Sequence, residues 1–326
     1  MRAIRRTRYG GPEVLTVEDT VEAPLEPDRV RLSVRAASLN PFEWHHQRGL
    51  PLLMRPSSGW RAPRDRGLGV DVAGVVAEVG DEVEGFAVGD EVFGIARGAL
   101  AERADARAEL LAIKPPTTTF EEAAAVPLAG LTALQALRDQ GRMREGFSVL
   151  VLGASGGVGH YAVQLARSLG ASRIVGSCSA RNRDLVLSLG ADTVLDYARG
   201  EVEALEERFD VVLDIAGGAP VSFLRRRIVP GGSVVLVGGP GDGLLLGPAA
   251  RIFGGLLTSR MRSERVVGVD ARVNGPDLHA LAALLASGEL RSVLHRRVPL
   301  EETAQALAEV DVGSRSRWHE PLAIPR

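Results

Sequence analysis

The fold is decided by one stretch of the chain, Ser148-Val149-Leu150-Val151-Leu152-Gly153-Ala154-Ser155-Gly156-Gly157-Val158-Gly159. Its first half is an unbroken apolar run, which predicts a buried strand, and a helical pattern begins near Val158. The glycines between them let the backbone turn tightly and approach a pyrophosphate, and the unpaired N–H groups of the helix N-terminus favour that anion. The order of strand, loop and helix favours a dinucleotide site over a generic tight turn. The predicted cofactor-binding residues are Gly153, Ser155, Gly156, Gly157, Val158 and Gly159.

From this strand onward, short apolar runs alternate with helical segments. The alternation is typical of βαβ units and a parallel sheet. Helices are predicted at Val158–Leu169 and Arg181–Leu189. Six strands are predicted in this part of the chain, the number that a doubly wound α/β dinucleotide fold contains. The predicted strands are Ser148–Gly153, Arg173–Cys178, Thr193–Tyr197, Asp210–Ile215, Ser233–Gly238 and Arg265–Val269.

The first third of the chain has a different pattern, with short alternating strands between Gly and Pro turns. This pattern predicts an antiparallel β region, with strands at Val30–Ala37, Val70–Val79 and Asp90–Ile95. A linker, Lys114-Pro115-Pro116, and a helix-capping pattern at Thr117–Phe120 then predict a domain boundary. Two further helices are predicted in the tail, at Pro276–Ser287 and Leu300–Val310.

Composition excludes several classes of protein. The chain has 326 residues, 45% of them hydrophobic, and a net charge of −2, so a basic surface for nucleic acid or an anionic membrane is not expected. Its one cysteine, Cys178, excludes an internal disulfide, a four-cysteine zinc site and a CxxC redox pair. Its one lysine, Lys114, has no tyrosine four residues before it, which excludes the Tyr-x-x-x-Lys pair of short-chain reductases. With no membrane span or signal peptide in the pattern, the sequence predicts a cytoplasmic protein with a small-molecule partner.

The end of the second predicted strand indicates which dinucleotide binds. NAD enzymes usually place a carboxylate there, on the ribose hydroxyls, whereas this chain has Cys178. The neighbouring side chains are Ser177, Ser179, Arg181 and Arg183, which can hydrogen-bond and neutralise a 2′-phosphate, and Ser179 and Arg181 are the predicted contacts. The pattern favours NADPH over NADH, with a solvated helix start as the alternative interpretation of the two arginines.

Motifs along nearly the whole chain support a family resemblance. They are the glycine loop and, in chain order, Asn40-Pro41-Phe42-Glu43-Trp44-His45, Leu68-Gly69-Val70-Asp71-Val72-Ala73-Gly74, Val88-Gly89-Asp90-Glu91-Val92-Phe93-Gly94, Ala124-Ala125-Val126-Pro127 and Leu131-Thr132-Ala133-Leu134. With these motifs the sequence resembles the zinc-independent medium-chain dehydrogenase/reductase family, near its quinone oxidoreductase and enoyl reductase branch. The resemblance implies a discontinuous GroES-like β domain at residues 1–118 and 271–326, a Rossmann domain at 119–270 that binds NADPH, and a homodimer joined through Arg265–Val269.

The resemblance also permits a check for zinc. Alcohol dehydrogenases of the wider family hold catalytic zinc through a cysteine, a histidine and a further cysteine or acid, and the matching positions here are Asn40, Val70 and Leu128. Valine and leucine have no donor atom, so no metal site is expected. Without a Lewis acid an unactivated ketone is hard to reduce, whereas a conjugated acceptor spreads the developing charge and needs only hydrogen-bond donors. The expected reaction is hydride transfer from NADPH to a quinone or to the C=C bond of an α,β-unsaturated carbonyl.

The resemblance further implies roles for individual side chains. Asn40 matches a family position near the substrate, where its amide N–H would bond the carbonyl, and Thr132 matches one that approaches the nicotinamide. His45 is the candidate proton donor because histidine titrates near neutrality, with solvent as the alternative. Cofactor contacts are implied for Tyr197, near the adenosine phosphate, and for Gly238 and Gly239, beside the nicotinamide.

Two departures from the family pattern keep other functions open. Ile215 stands where close relatives carry asparagine, and Gly313-Ser314-Arg315-Ser316-Arg317-Trp318 lacks the family's C-terminal lysine, for which Arg315 or Arg317 would have to substitute. One alternative is a zinc-free alcohol or ketone oxidoreductase or a specialised natural-product enzyme. The other is an NADPH-binding sensor or interaction protein with little catalysis.

Overall fold

The computed structural model describes residues 1–238, 264–309 and 322–325. The chain divides into two compact units. The first consists of Met1–Leu131 and Val273–Arg326, and the second of Thr132–Arg272. The second unit is therefore an insertion in the first.

The first unit is a β domain. Its strands, numbered along the chain, are β1 (Arg2–Arg5), β2 (Thr16–Asp19), β3 (Arg29–Leu39), β4 (Asp71–Val79), β5 (Glu91–Ile95), β6 (Arg103–Arg107), β7 (Leu111–Ile113), β14 (Arg296–Arg297) and β15 (Leu322–Pro325). β1 pairs with β2, and the larger sheet has the order β14-β15-β3-β4-β5-β7 with β6 also paired to β3. Alternate apolar side chains of these strands form one buried core, which includes Val30, Leu32, Val72, Val76 and Val92.

The first unit also contains helices, some of which begin within the sequence motifs. They are α1 (Pro41–Arg48), α2 (Arg55–Ser58), α3 (Phe120–Ala124), α4 (Pro127–Gln135, which continues into the second unit), α9 (Gly275–Ser287) and α10 (Thr303–Glu309). The predicted N-cap is present at Thr119, whose hydroxyl accepts the Glu122 N–H at 3.2 Å while the Glu122 carboxylate accepts the Thr119 N–H at 2.9 Å. α3 packs on β3 and β4, so the division by packing falls after Leu131, beyond the boundary expected at residue 118. The capping pattern marks where a helix begins but carries no information on which core it covers.

The inserted unit is a parallel sheet of six strands. They are β8 (Ser148–Leu152), β9 (Arg173–Cys178), β10 (Thr193–Asp196), β11 (Phe209–Asp214), β12 (Ile228–Leu236) and β13 (Arg265–Gly268). Their order, β10-β9-β8-β11-β12-β13, is that of the doubly wound dinucleotide fold and confirms the predicted fold class. The expectation that the fifth strand spans Ser233–Gly238 is wrong at both ends. The strand begins earlier, because Ile228 already pairs with Phe209 and the Pro230-Gly231-Gly232 turn is absorbed as a register shift, and it ends at Leu236.

Helices α5 (Gly159–Ser168), α6 (Arg183–Ser188), α7 (Glu201–Ala204) and α8 (Val221–Arg226) connect these strands. The two ends of the unit are joined by one side chain. Gln135 donates from Nε2 to the Arg272 carbonyl at 2.7 Å and accepts the Arg272 N–H on Oε1 at 2.8 Å. Among the described residues no helix has the length and apolar character needed to cross a bilayer, and the cytoplasmic location stays a prediction.

Candidate functional site

The glycine loop follows β8 with the geometry that close approach to a phosphate requires. Gly153 has a φ of 88°, a left-handed conformation that favours glycine. The N–H groups of Gly153 and Ala154 donate to the Ser177 carbonyl at 3.2 and 2.8 Å, which ties the loop to the end of β9. A Cβ at Gly159 would lie 2.0 Å from the Gly153 carbonyl oxygen, so only glycine permits α5 to begin this close to the strand.

Gly157 has the opposite environment. A Cβ built at this position meets no atom within 4 Å, so the loop leaves an open space at the start of α5. Helix N-termini present unpaired N–H groups and a partial positive charge to such a space. The loop therefore fits the pyrophosphate of a dinucleotide.

Two side chains near this loop supply polar groups. Ser155 accepts a hydrogen bond on Oγ from Asn182 Nδ2 at 3.0 Å, and the Ser179 hydroxyl is buried with no hydrogen-bond partner among the described atoms. An orphaned buried hydroxyl at the end of β9 fits a ribose or phosphate oxygen. Asn182 was missed in the sequence, where only its position just after Ser179 and Arg181 could have indicated it.

The arginines that follow β9 differ in their pairing. Arg181 is exposed and makes no ion pair with any residue that the structure describes, whereas Arg183 Nη2 lies 3.3 Å from Glu201 Oε2. Tyr197 stands 43% exposed just after β10, which neighbours β9. Arg181 is therefore the arginine available to an anion at this edge of the sheet.

Gly238 lies just after β12 and packs against the neighbouring loop. A Cβ there would lie 2.0 Å from the Ile215 carbonyl oxygen, so the close contact of these two strand ends requires glycine. Gly239, Arg315 and Arg317 lie outside the described residues.

In the first unit, Asn40 belongs to a buried polar network at the start of α1. Its Nδ2 donates to Asp71 Oδ2 at 2.9 Å and to Ser38 Oγ at 3.2 Å, and its backbone N–H donates to Glu43 Oε2 at 2.7 Å. Asp71 Oδ2 also accepts the Ser38 hydroxyl, and its Oδ1 accepts the Leu128 N–H at 3.1 Å near the N-terminus of α4. The amide hydrogens that the sequence assigned to a substrate carbonyl are thus engaged with Asp71 and Ser38.

The network contains two buried carboxyl groups. Burial raises the pKa of Glu43 to about 8, helped by the nearby charge of Asp71, and raises the pKa of Asp71 to about 7 despite its hydrogen bonds from Asn40 and Ser38. Asp71 accepts three donors, which favours its charged form, so we place the retained proton of the pair on Glu43 at neutral pH. The sequence motifs include Asp71 but assign it no role. The signal that could have indicated one is a carboxylate within an otherwise apolar strand.

This proton makes stability depend on pH. Glu43 binds its proton more tightly in the folded chain than in the unfolded one, so between about pH 4.5 and 8 the folded state holds more protons and the free energy of unfolding falls as pH rises. Glu43→Gln keeps the neutral form at every pH. The unfolding free energy of wild type relative to this variant is expected to decrease by on the order of 3 kcal/mol across that window, as measured by urea denaturation. The exposed Glu84→Gln serves as control, and a parallel pH dependence of all three proteins would refute the assignment.

The other predicted catalytic residues are also buried in part. His45 Nδ1 lies 3.0 Å from the Leu50 carbonyl, and burial lowers the pKa of His45 and of His46. Lowered pKa values reduce the fraction of either ring that carries a proton to donate at neutral pH. Thr132 lies on α4, 9% exposed.

Comparisons with known proteins agree with this geometry. One family model, described as alcohol dehydrogenase GroES-like domain, matches residues 26–136, and another, described as zinc-binding dehydrogenase, matches 189–315. The chain is 34% identical, over 95% of its length and 94% of the relative, to a chloroplast envelope quinone oxidoreductase homolog of Arabidopsis thaliana. The chain belongs to the medium-chain dehydrogenase/reductase family. Its relatives place it in the quinone oxidoreductase and enoyl reductase branch.

Two further comparisons also cover nearly the whole of this chain. The chain is 33% identical to a 2-methylene-furan-3-one reductase of Solanum lycopersicum, over 96% of its own length and 76% of that protein. The structure of Escherichia coli quinone oxidoreductase complexed with NADPH matches with a TM-score of 0.83 and 26% identity, covering 100% of both chains. The chain is therefore an oxidoreductase by family.

The positions that hold zinc in other members of the family have different partners in this one. Asn40 bonds Asp71, Leu128 donates its backbone N–H to the same carboxylate, and Val70 has no donor atom in its side chain. Within the part of the chain that the structure describes, no three or more His, Cys, Asp or Glu side chains form a metal-binding group. Asn40 and Leu128 are thus both joined to the buried carboxylate of Asp71.

Proposed function

We propose that this family member is an NADPH-dependent oxidoreductase that transfers hydride to a quinone or to the C=C bond of an α,β-unsaturated carbonyl without zinc. The observation that carries the proposal is the end of β9, where Ser179 and Arg181 stand beside the glycine loop in place of a carboxylate. A carboxylate would repel a 2′-phosphate by ~4 kcal/mol at close range under an effective dielectric of about 20. A buried hydroxyl without a partner and an unpaired guanidinium attract it instead.

The acceptor class is supported by two independent lines. The names of relatives include a quinone oxidoreductase and a furanone reductase, both of which point to conjugated carbonyl acceptors. Val70 and Leu128, at two of the family's three zinc positions, have no side-chain donor atom, and a conjugated acceptor is the class that reacts without a Lewis acid. An unactivated ketone would need stabilisation that valine and leucine do not supply.

The cofactor, when bound, supplies the hydride, and the protein has to bind the cofactor and orient the acceptor. The glycine loop would hold the pyrophosphate, and Ser179 and Arg181 the 2′-phosphate, with Tyr197 and the Gly238–Gly239 segment along the same cofactor. Asn40, which is fixed by Asp71, and Thr132 are the side chains that we assign to the acceptor. Because burial lowers the pKa of His45, we assign the proton that completes the reduction to solvent rather than to this ring.

The test is a titration with NADPH and with NADH, followed by nicotinamide fluorescence, and then addition of a simple quinone or enone. Wild type is expected to prefer NADPH and to oxidise it when an acceptor is added. Arg181→Ala is expected to weaken NADPH binding about 10-fold, the equivalent of one charge-assisted hydrogen bond, and to leave NADH unchanged. Arg183→Ala is the matched control, because Glu201 already pairs with it, and a change below about 3-fold is expected.

Two outcomes would contradict the proposal. Equal binding of the two cofactors would remove the role of Arg181. Tight NADPH binding with no oxidation by either acceptor would favour a specialised substrate or a binding protein.

We also propose a homodimer joined through β13. This strand lies at one end of the six-stranded sheet and pairs only with β12 among the described strands, so its outer edge offers backbone groups to a second copy.

A further inference from the structure

The chain contains one ε-amino group, and the fold buries it. Lys114 is 5% exposed, and its ammonium donates to the carbonyls of Pro115 and Thr118 at 3.1 and 2.7 Å and lies 3.0 Å from Glu91 Oε2. The Phe120 ring covers it at 5.0 Å. Three donors meet three acceptors, so the lone pair needed for attack on an electrophile is not available.

The chain also contains one thiol, which is buried in the other unit. Cys178 is 3% exposed, and its Sγ donates to the Ser179 carbonyl at 3.2 Å. Burial raises the pKa of this thiol to about 11. The thiolate is the nucleophile, and an upward shift of this size reduces its population at neutral pH about 100-fold.

We propose that the thiol of Cys178 and the ε-amine of Lys114 are shielded from alkylation by conjugated carbonyls in the folded protein, because both groups are withdrawn from solvent. In such an alkylation the nucleophile forms a bond to the β-carbon of the enone, the C=C bond shifts its electrons to the carbonyl, and a proton adds to the α-carbon. Thiols and ε-amines add readily to such acceptors, and both of these groups are buried in this chain, whereas the α-amine of Met1 is only part-buried. The benefit of the shielding rests on the proposed function, since an enzyme that binds reactive enones or quinones would otherwise be consumed by them.

The experiment exposes the protein, without any cofactor, to methyl vinyl ketone at neutral pH and follows adducts by intact mass and peptide mapping. Wild type is expected to gain adducts at Cys178 and Lys114 at least about 100-fold more slowly than the same residues in protein unfolded with urea. Ser287→Cys, at an exposed site near the end of α9, and Arg107→Lys, 54% exposed, place the missing groups on the surface. Both are expected to be alkylated at the rate of the unfolded protein while Cys178 and Lys114 stay intact.

Modification of Cys178 or Lys114 in folded wild type within about 10-fold of the surface variants would overturn the proposal. The readout is independent of catalysis. If the chain fails to oxidise NADPH with an enone and still resists alkylation, the proposed function fails and the shielding stands.

Discussion

Gly157→Ala is expected to weaken NADPH binding about 100-fold while leaving the free energy of unfolding unchanged. The added methyl group meets no atom within 4 Å, so the fold has no reason to respond. It would, however, occupy the space over the loop where phosphate oxygens have to approach the backbone. Two lost charge-assisted hydrogen bonds of about 1.5 kcal/mol each correspond to this factor.

The measurement combines a fluorescence titration with urea denaturation, and Gly159→Ala is the contrasting variant. Its Cβ would lie 2.0 Å from a backbone oxygen, so it is expected to lower the free energy of unfolding by about 1–3 kcal/mol as well as to weaken binding. If Gly157→Ala binds NADPH as wild type does, the loop is a tight turn and not a phosphate site.

Asp71→Ala is expected to lower the free energy of unfolding by at least about 3 kcal/mol. The substitution leaves the Ser38 hydroxyl, the Asn40 amide and the Leu128 N–H without their shared acceptor, in a place where the carboxylate is fully buried. Each buried donor left unpaired costs about 1–3 kcal/mol, partly offset because a buried charge is removed as well.

Chemical denaturation at neutral pH measures this effect. Ser38→Ala removes one donor of the network and is expected to cost about 1 kcal/mol, and Asp81→Ala, in an exposed turn, less than about 0.5 kcal/mol. A loss below 1 kcal/mol in Asp71→Ala would show that the network contributes little to stability.

The elements that the sequence predicted well are those whose signals are local. The strand Arg173–Cys178 has the predicted bounds, and the glycine loop is recognisable because Gly153 has a φ of 88° and a Cβ at Gly159 would lie 2.0 Å from a backbone oxygen. β12 was misplaced because Pro230-Gly231-Gly232 reads locally as a turn, while the pairing of Ile228 with Phe209 depends on the neighbouring strand.

The parts of the site that were missed depend on distant contacts. Asp71 and Asn40 are 31 residues apart and meet because β3 and β4 pair in an antiparallel register. Asn182 reaches Ser155 across 27 residues through the pairing of β8 and β9. A motif shows which residue types are present. Which side chains form hydrogen bonds with each other depends on the register in which the strands pair.

The bridge between Gln135 and Arg272 bears on how such a protein can be rebuilt. Because the Gln135 side chain joins the entry and exit segments of the inserted unit, the two chain ends of that unit are adjacent, as they are in domains that tolerate transplantation. We therefore expect the segment Thr132–Arg272 to be exchangeable between relatives as one piece. The ends of the exchanged segment are expected to close where the glutamine and the spacing to its backbone partner are kept.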